Sequence, residues 1–183
     1  SVPRSLTEPD PSPEVNITGT WNVLKAAKEG GARRVVYAAS SSAYGDTEEL
    51  PKVERMATRP KSPYAVQKLL GEQYASVYTS CFGLETVSLR FFNVYGPRQD
   101  PSSQYSGVLS LFMKHVLAGT EPTIHGDGEQ TRDFTYVKDV VDLVIKASHA
   151  PSEACGKVFN AGNGGRFSLN EIWKTLQGIE GVR

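Results

Sequence analysis

Arg33-Arg34-Val35-Val36-Tyr37-Ala38-Ala39-Ser40-Ser41-Ser42 is the stretch on which the fold turns. Residues 35–38 form a short apolar run led by two arginines. Such a run, without alternation, reads as a buried strand of a parallel sheet. The serines that follow then stand at its carboxyl end, where open α/β sheets place their chemistry. Further on comes Ser62-Pro63-Tyr64-Ala65-Val66-Gln67-Lys68. Here Ser62-Pro63 reads as a helix start, with the proline at the first helical position.

On that helix Tyr64 and Lys68 share one face, with Cβ atoms roughly 5–6 Å apart. An ammonium held there favours the phenolate. A tyrosine whose free pKa is about 10 is then predicted to be a usable base near neutral pH. A serine hydroxyl at Ser40 can share the substrate hydroxyl and orient its proton. Serine, tyrosine and lysine together suit taking a proton from an alcohol while its hydride leaves for a nicotinamide. Taken alone, Tyr-x-x-x-Lys is more often a surface tyrosine beside a solvated lysine. The strand, the serines and the helix start around it favour the chemical reading.

Working outward, apolar spacing and turn residues predict helices over 13–29, 63–80, 108–117, 137–147 and 168–176. Strands are predicted over 84–91, 122–125, 133–136 and 158–161. A polar loop fills 45–61. Gly126-Asp127-Gly128 and Gly162-Asn163-Gly164-Gly165 read as turns. Alternating strands and helices without an internal repeat indicate an α/β fold built on a doubly wound parallel sheet.

Composition narrows the function. At 183 residues, the chain is long enough for one sizeable core. Its 20 basic and 20 acidic residues balance, so no global field argues for nucleic acid or an anionic membrane. Cys81 and Cys155 stand far apart, as expected in a reducing cytosol. No apolar run approaches the ~18–20 residues of a membrane span, and no signal peptide is visible, so a cytoplasmic protein is expected. His115, His125 and His149 lack ligand spacing, and no metal site is expected.

Four motifs then occur in order: Tyr37-Ala-Ala-Ser-Ser-Ser-Ala-Tyr-Gly45, Ser62-Pro-Tyr-Ala-Val-Gln-Lys68, Arg90-Phe-Phe-Asn-Val-Tyr-Gly-Pro97 and Gly126-Asp-Gly-Glu-Gln-Thr-Arg-Asp-Phe134. On these the chain resembles an extended short-chain dehydrogenase/reductase of the NAD-dependent nucleotide-sugar epimerase/dehydratase family. It is most similar to the UDP-glucose and UDP-N-acetylglucosamine 4-epimerases. The resemblance implies a Rossmann-like domain over 1–92 and 135–162 and a smaller substrate-binding α/β domain over 93–134 and 163–183, both partial. It implies catalytic roles for Ser40, Tyr64 and Lys68. Tyr64, Lys68, Asn16 and Phe91 would lie toward NAD. Ser41, Asn93, Gln99, Gly107, Val108, Thr123, His125 and Arg132 would lie toward a UDP-sugar. Arg132 matches an arginine on the diphosphate, where a guanidinium offers paired donors; an ordinary surface salt bridge is the plainer reading. The resemblance also implies a homodimer through the helices over 13–29 and 63–80, which relatives pair into a four-helix bundle.

Within the family, dehydratases and decarboxylases carry acidic residues after the catalytic hydroxyl, at positions where this chain has Ser41 and Ser42. That difference favours 4-epimerase. A dehydratase or reductase of the same superfamily, or an inactive truncated relic, are the competing readings. Ser41, Asn93, Gln99 and Gly107 match the pocket around an N-acetylated sugar, and Gly107 leaves room for an acetamido group. The residue treated as gatekeeper falls beyond Arg183, so UDP-glucose, UDP-N-acetylglucosamine and UDP-glucuronate all stay open. No GxxGxxG loop follows a strand, so about two ~30-residue βαβ units are expected ahead of Ser1. The chain by itself is then expected to be inactive and not to bind NAD tightly.

Overall fold

The computed structural model describes residues 1–100 and 107–179. Two compact units divide it, one over 1–92 and 140–161, the other over 93–139 and 162–183.

The first unit opens with α1 (Val2–Thr7), α2 (Pro11–Pro13), a π-helical turn (Glu14–Thr18) and α3 (Gly19–Glu29). The helix expected over 13–29 therefore starts at Pro11 and changes pitch midway. Proline is tolerated in a first turn because its missing N–H has no intrahelical partner there. Then come β1 (Arg34–Ser40), a 3-10 turn (Ser41–Tyr44), the long α4 (Pro63–Phe82) and β2 (Glu85–Phe91). After the second unit's first segment, α6 (Val137–His149) and β6 (Lys157–Ala161) complete it. The sheet has the order β1-β2-β6, parallel throughout, with Ser40 opposite Phe91 and Phe91 opposite Ala161. Helices pack on both faces of β2. The run at 35–38, expected to be buried, is not: Val35, Val36 and Tyr37 are half-buried and Ala38 is exposed, because β1 is an edge strand of this sheet among the described residues.

Central strand β2 shows how the helices pack. Val87 and Leu89 are buried in a cluster with Ala147 and Ala161, joined by Leu143 and Val144 of α6. The alternate residues Thr86, Ser88 and Arg90 are equally buried but polar, and a buried polar group must find partners. Helix α4 supplies them for two of these side chains. Thr86 Oγ1 bonds the Ala75 carbonyl at 2.8 Å and Thr79 Oγ1 at 2.8 Å. Arg90 makes a fork to Glu72, Nε to Oε1 at 2.9 Å and Nη2 to Oε2 at 2.7 Å. Its guanidinium also lies 4.6 Å from the Tyr44 ring centre. Gly71 of α4 lies against Tyr37 of β1, where any Cβ would overlap the Tyr37 ring. Only glycine fits there. A second cluster of Leu24, Tyr78 and Leu84 joins α3 to α4, with Trp21 edge-on to Tyr74 and Tyr78.

The second unit is built from smaller pieces. β3 (Asn93–Tyr95) runs parallel to β5 (Phe134–Tyr136), and β4 (Thr131–Arg132) pairs antiparallel with β7 (Phe167–Ser168). α5 (Val108–Ala118) and α7 (Leu169–Gln177) pack through Phe112 and Trp173, ring centres 5.5 Å apart. Ser168 and Glu171 form a capping box on α7. The strand expected over 122–125 is absent: those residues pair with no strand among those described. Alternation of Pro122, Thr123, Ile124 and His125 imitates a strand, yet without a partner for its backbone groups the segment stays irregular.

Candidate active site

Ser40 ends β1 in an extended conformation and caps the 3-10 turn that follows, accepting from the Ser42 N–H. The Ser42 hydroxyl also donates to Ser40 Oγ at 2.8 Å. Tyr64 arrives from α4, whose first turn is tied down twice. Ser62 Oγ accepts the Ala65 N–H, and the fully buried Ser5 accepts the Tyr64 N–H, both at 3.2 Å. Pro63 has no N–H to satisfy, and two of the remaining orphan N–H groups of the helix are thereby bonded. The Ser40 hydroxyl lies close enough to the Tyr64 phenol to act on its pKa. Lys68, one turn along, donates from Nζ to the Ala38 carbonyl at 2.9 Å. Its ammonium stands 5.9 Å from the Tyr64 ring centre and 5.3 Å from that of Tyr37. Ser40, Tyr64 and Lys68 thus meet beyond the carboxyl end of β1.

Electrostatics here run against expectation. Burial pushes the Tyr64 phenol above its usual pKa of 10, and the Ser40 hydroxyl offsets only part of that. Burial likewise lowers Lys68. The ammonium is turned to a backbone carbonyl and its reach to the ring is long, so desolvation outweighs attraction. In the protein alone Tyr64 is therefore a protonated phenol near neutral pH, poised as donor rather than as free base.

The other expected residues distribute as follows. Asn16 sits in the π-helical turn, and its Nδ2 donates to Gln67 Oε1 at 2.8 Å, a buried amide that Ser12 also contacts. Phe91, half-buried at the end of β2, packs against the Val87–Leu89 cluster. Ser41 opens the 3-10 turn. The remainder belong to the second unit. Asn93 Nδ2 donates to the Asp133 carbonyl at 3.0 Å. Gln99 lies beside Gly107, where a Cβ would come 3.2 Å from its Nε2. Val108 begins α5 and is half-buried, whereas Thr123, His125 and Arg132 are exposed. Among the described residues, no three His, Cys, Asp or Glu side chains group to hold a metal ion. No described helix is long and apolar enough to cross a membrane.

Sequence reading missed Ser5, Gln67, Tyr37 and the Glu72–Arg90 fork as supports of this site. A signal existed for the last. Glu72 lies four residues beyond Lys68 on the same face, and an arginine inside a strand buried on both sides demands a counter-charge.

The profile described as "NAD dependent epimerase/dehydratase family" matches residues 1–162. A UDP-glucose 4-epimerase of Mycolicibacterium smegmatis is 39% identical over 183 residues, which is 100% of this chain and 58% of that protein. The UDP-glucose 4-epimerase of Thermotoga maritima, solved with UDP-glucose, superposes with a TM-score of 0.91 at 35% identity, over 97% of this chain and 57% of that one. A UDP-N-acetylglucosamine 4-epimerase of Methanobrevibacter ruminantium, solved with UDP-N-acetylmuramic acid, gives 0.90 at 36% identity over 95% and 55%. The chain spans a little over half the length of these relatives.

Proposed function

The chain belongs to the NAD-dependent epimerase/dehydratase family, and from that premise we propose that the whole protein is a UDP-sugar 4-epimerase. The observation that carries the reading is the meeting of Ser40, Tyr64 and Lys68 beyond β1, followed by Ser41 and Ser42 in place of carboxylates. Dehydration needs a carboxylic acid to protonate a departing 6-hydroxyl and a base at C5, and serines supply neither.

The residues divide the work. NAD, when bound, supplies the acceptor for the C4 hydride and its return to the other face. The donor set fits its nicotinamide end: Lys68 carries three N–H donors, with one given to Ala38, and the Tyr64 hydroxyl stands beside it. Tyr64, a protonated phenol in the protein alone, takes the 4-hydroxyl proton once it has lost its own, and returns it when the 4-keto sugar has turned over. Ser40, beside the Tyr64 hydroxyl, orients the substrate hydroxyl and lowers the phenol from where burial puts it. Lys68, fixed by Ala38, keeps a positive charge within reach of the ring. We read the first unit as the dinucleotide-binding part and the second as the substrate-binding part. In the second, the exposed Arg132, with Asn93, Gln99, Gly107, Val108, Thr123 and His125, lies toward the nucleotide sugar. A homodimer through α3 and α4 completes the proposal. Exposed Val66, Val77 and Trp21 support it, and a monomer by light scattering at high concentration would count against it.

Incubation of the whole protein with UDP-glucose or UDP-N-acetylglucosamine is the test. Interconversion with the 4-epimer and no net change in cofactor is expected. A stable 4-keto-6-deoxy product, or net NADPH consumption, would overturn the reading in favour of a dehydratase or reductase.

A further inference from the structure

We propose that Asn170, seated against Gly128, is a positioning residue for Arg132, a latch that aims this guanidinium at a diphosphate. The inference rests on the reading of Arg132 as a diphosphate-binding residue and adds what holds it in place.

Arg132 lies on a two-residue strand. So short a ladder fixes a side chain poorly by itself. Its guanidinium is exposed, donates from Nη1 to the Thr131 carbonyl at 2.8 Å, and has no ion-pair partner among the described residues. Among the described residues the plainer reading, a surface salt bridge, therefore lacks its carboxylate. What the strand lacks in length, the first turn of α7 supplies from both sides.

On one side, Thr131 and Arg132 pair with Ser168 and Phe167. Ser168 is itself locked by the capping box, its N–H on Glu171 Oε2 at 2.7 Å and its Oγ accepting the Glu171 N–H at 3.2 Å. On the other side, Asn170 grips the turn that leads into the strand. Its Nδ2 donates to the Asp127 carbonyl at 2.9 Å and to Glu129 Oε1 at 2.6 Å, and its N–H donates to the Gly128 carbonyl at 3.2 Å. Gly128 is buried with φ +78°, and a Cβ there would overlap the Asn170 carboxamide. The position needs glycine twice, for its backbone conformation and for the amide laid against it. Two further bonds close the turn. Asp127 Oδ1 accepts the Glu129 N–H at 3.0 Å, and Gln130 Nε2 donates to the His125 carbonyl at 2.8 Å. The segment from His125 to Arg132 is thus one fastened piece, with Asn170 as its clasp.

UDP is the probe, and its affinity for the whole protein is measured by calorimetry for the parent, Asn170→Ala, Arg132→Ala and the double variant. Losing charge-assisted hydrogen bonds at Arg132 is expected to weaken UDP roughly 10–100-fold. Asn170→Ala is expected to weaken it by about 3–10-fold, and to leave the double variant no weaker than Arg132→Ala alone. In turnover, Asn170→Ala raises KM more than it lowers kcat. Gly128→Ala strains the same contact from its other side and is expected to show the same dependence on Arg132. It serves as the second probe if Asn170→Ala does not fold. If Arg132→Ala weakens UDP while the latch variants do not, or their effects simply add, the latch is overturned. If Arg132→Ala itself leaves UDP affinity unchanged, the diphosphate reading of Arg132 falls and the latch with it.

Discussion

Two arginines mark the contrast between the regions of this molecule. Arg90, on β2, is 4% exposed and carries a fork to Glu72 with both partners out of water. Arg132, on β4, stands in solvent beside a turn, with no ion-pair partner among the described residues. Around Arg90 the polar groups are consumed by the fold. Around Arg132 the backbone and Asn170 are consumed, and the guanidinium is left available. The lesson is that depth and partnership, rather than residue type, separate a cation consumed by the scaffold from one left open to solvent. The same contrast applies to the tyrosines. Tyr44 donates its hydroxyl to Asn160 at 2.6 Å inside the core, while the Tyr64 phenol lies beside Ser40 at the carboxyl end of β1.

The largest effect expected is at the point where the buried scaffold meets chemistry. Tyr64→Phe removes the proton carrier and is expected to cut turnover roughly 10²–10⁴-fold while leaving the helix intact. Steady-state kinetics on a variant with unchanged circular dichroism checks it, and near-normal turnover would exclude Tyr64. Next comes the scaffold itself. Glu72→Ala strands the Arg90 charge inside the first unit, a loss of about 3–5 kcal/mol in unfolding free energy. Denaturant titration that found less than about 1 kcal/mol would erase the contrast between the two arginines.

Tyr37 offers a pH-dependent version of the same claim. Burial raises its phenol to about 12, against a smaller opposing hydrogen bond from Thr20. A pKa raised on folding gives stability that is complete below about pH 10, the unfolded value, and is lost as pH rises through about 12. Thermal midpoints are therefore expected to fall over that window, and Tyr37→Phe to flatten part of the fall. A variant with the parent's alkaline profile would contradict burial as the cause. The smallest effect is at the exposed arginine, where Arg132→Ala is expected to change unfolding free energy by no more than about 0.5 kcal/mol. A larger loss of stability would mean that Arg132 builds the second unit rather than serving it.

Much of this was legible in the chain, because the first unit obeys simple periods. Residues 35–38 lie within β1, and the Ser62-Pro63 start coincides with the α4 boundary. The first is marked by an apolar run, the second by a capping serine and a proline whose missing N–H suits a first helical position. The second unit was harder to read. Its strands are two or three residues long, too short for a period to register. β3 lies beyond the strand predicted over 84–91, in a stretch to which no element is assigned from the sequence, and 122–125 alternates without a partner. The poise of Tyr64 was also misjudged. Spacing gives the direction from tyrosine to lysine, but not the Ala38 carbonyl that takes the ammonium or the burial that dominates both groups. Desolvation belongs to the packed structure and leaves no mark at i, i+4.

The central claim is that this site oxidises a sugar at C4 and restores it on the other face, and an isotope at that carbon tests it most directly. The whole protein is given UDP-glucose, and separately UDP-N-acetylglucosamine, carrying deuterium at C4, and the products are followed by NMR. The account predicts the 4-epimer with deuterium retained at C4 and no accumulated keto sugar. Deuterium found at C6 of a 4-keto-6-deoxy product, or washed out to solvent, would contradict it.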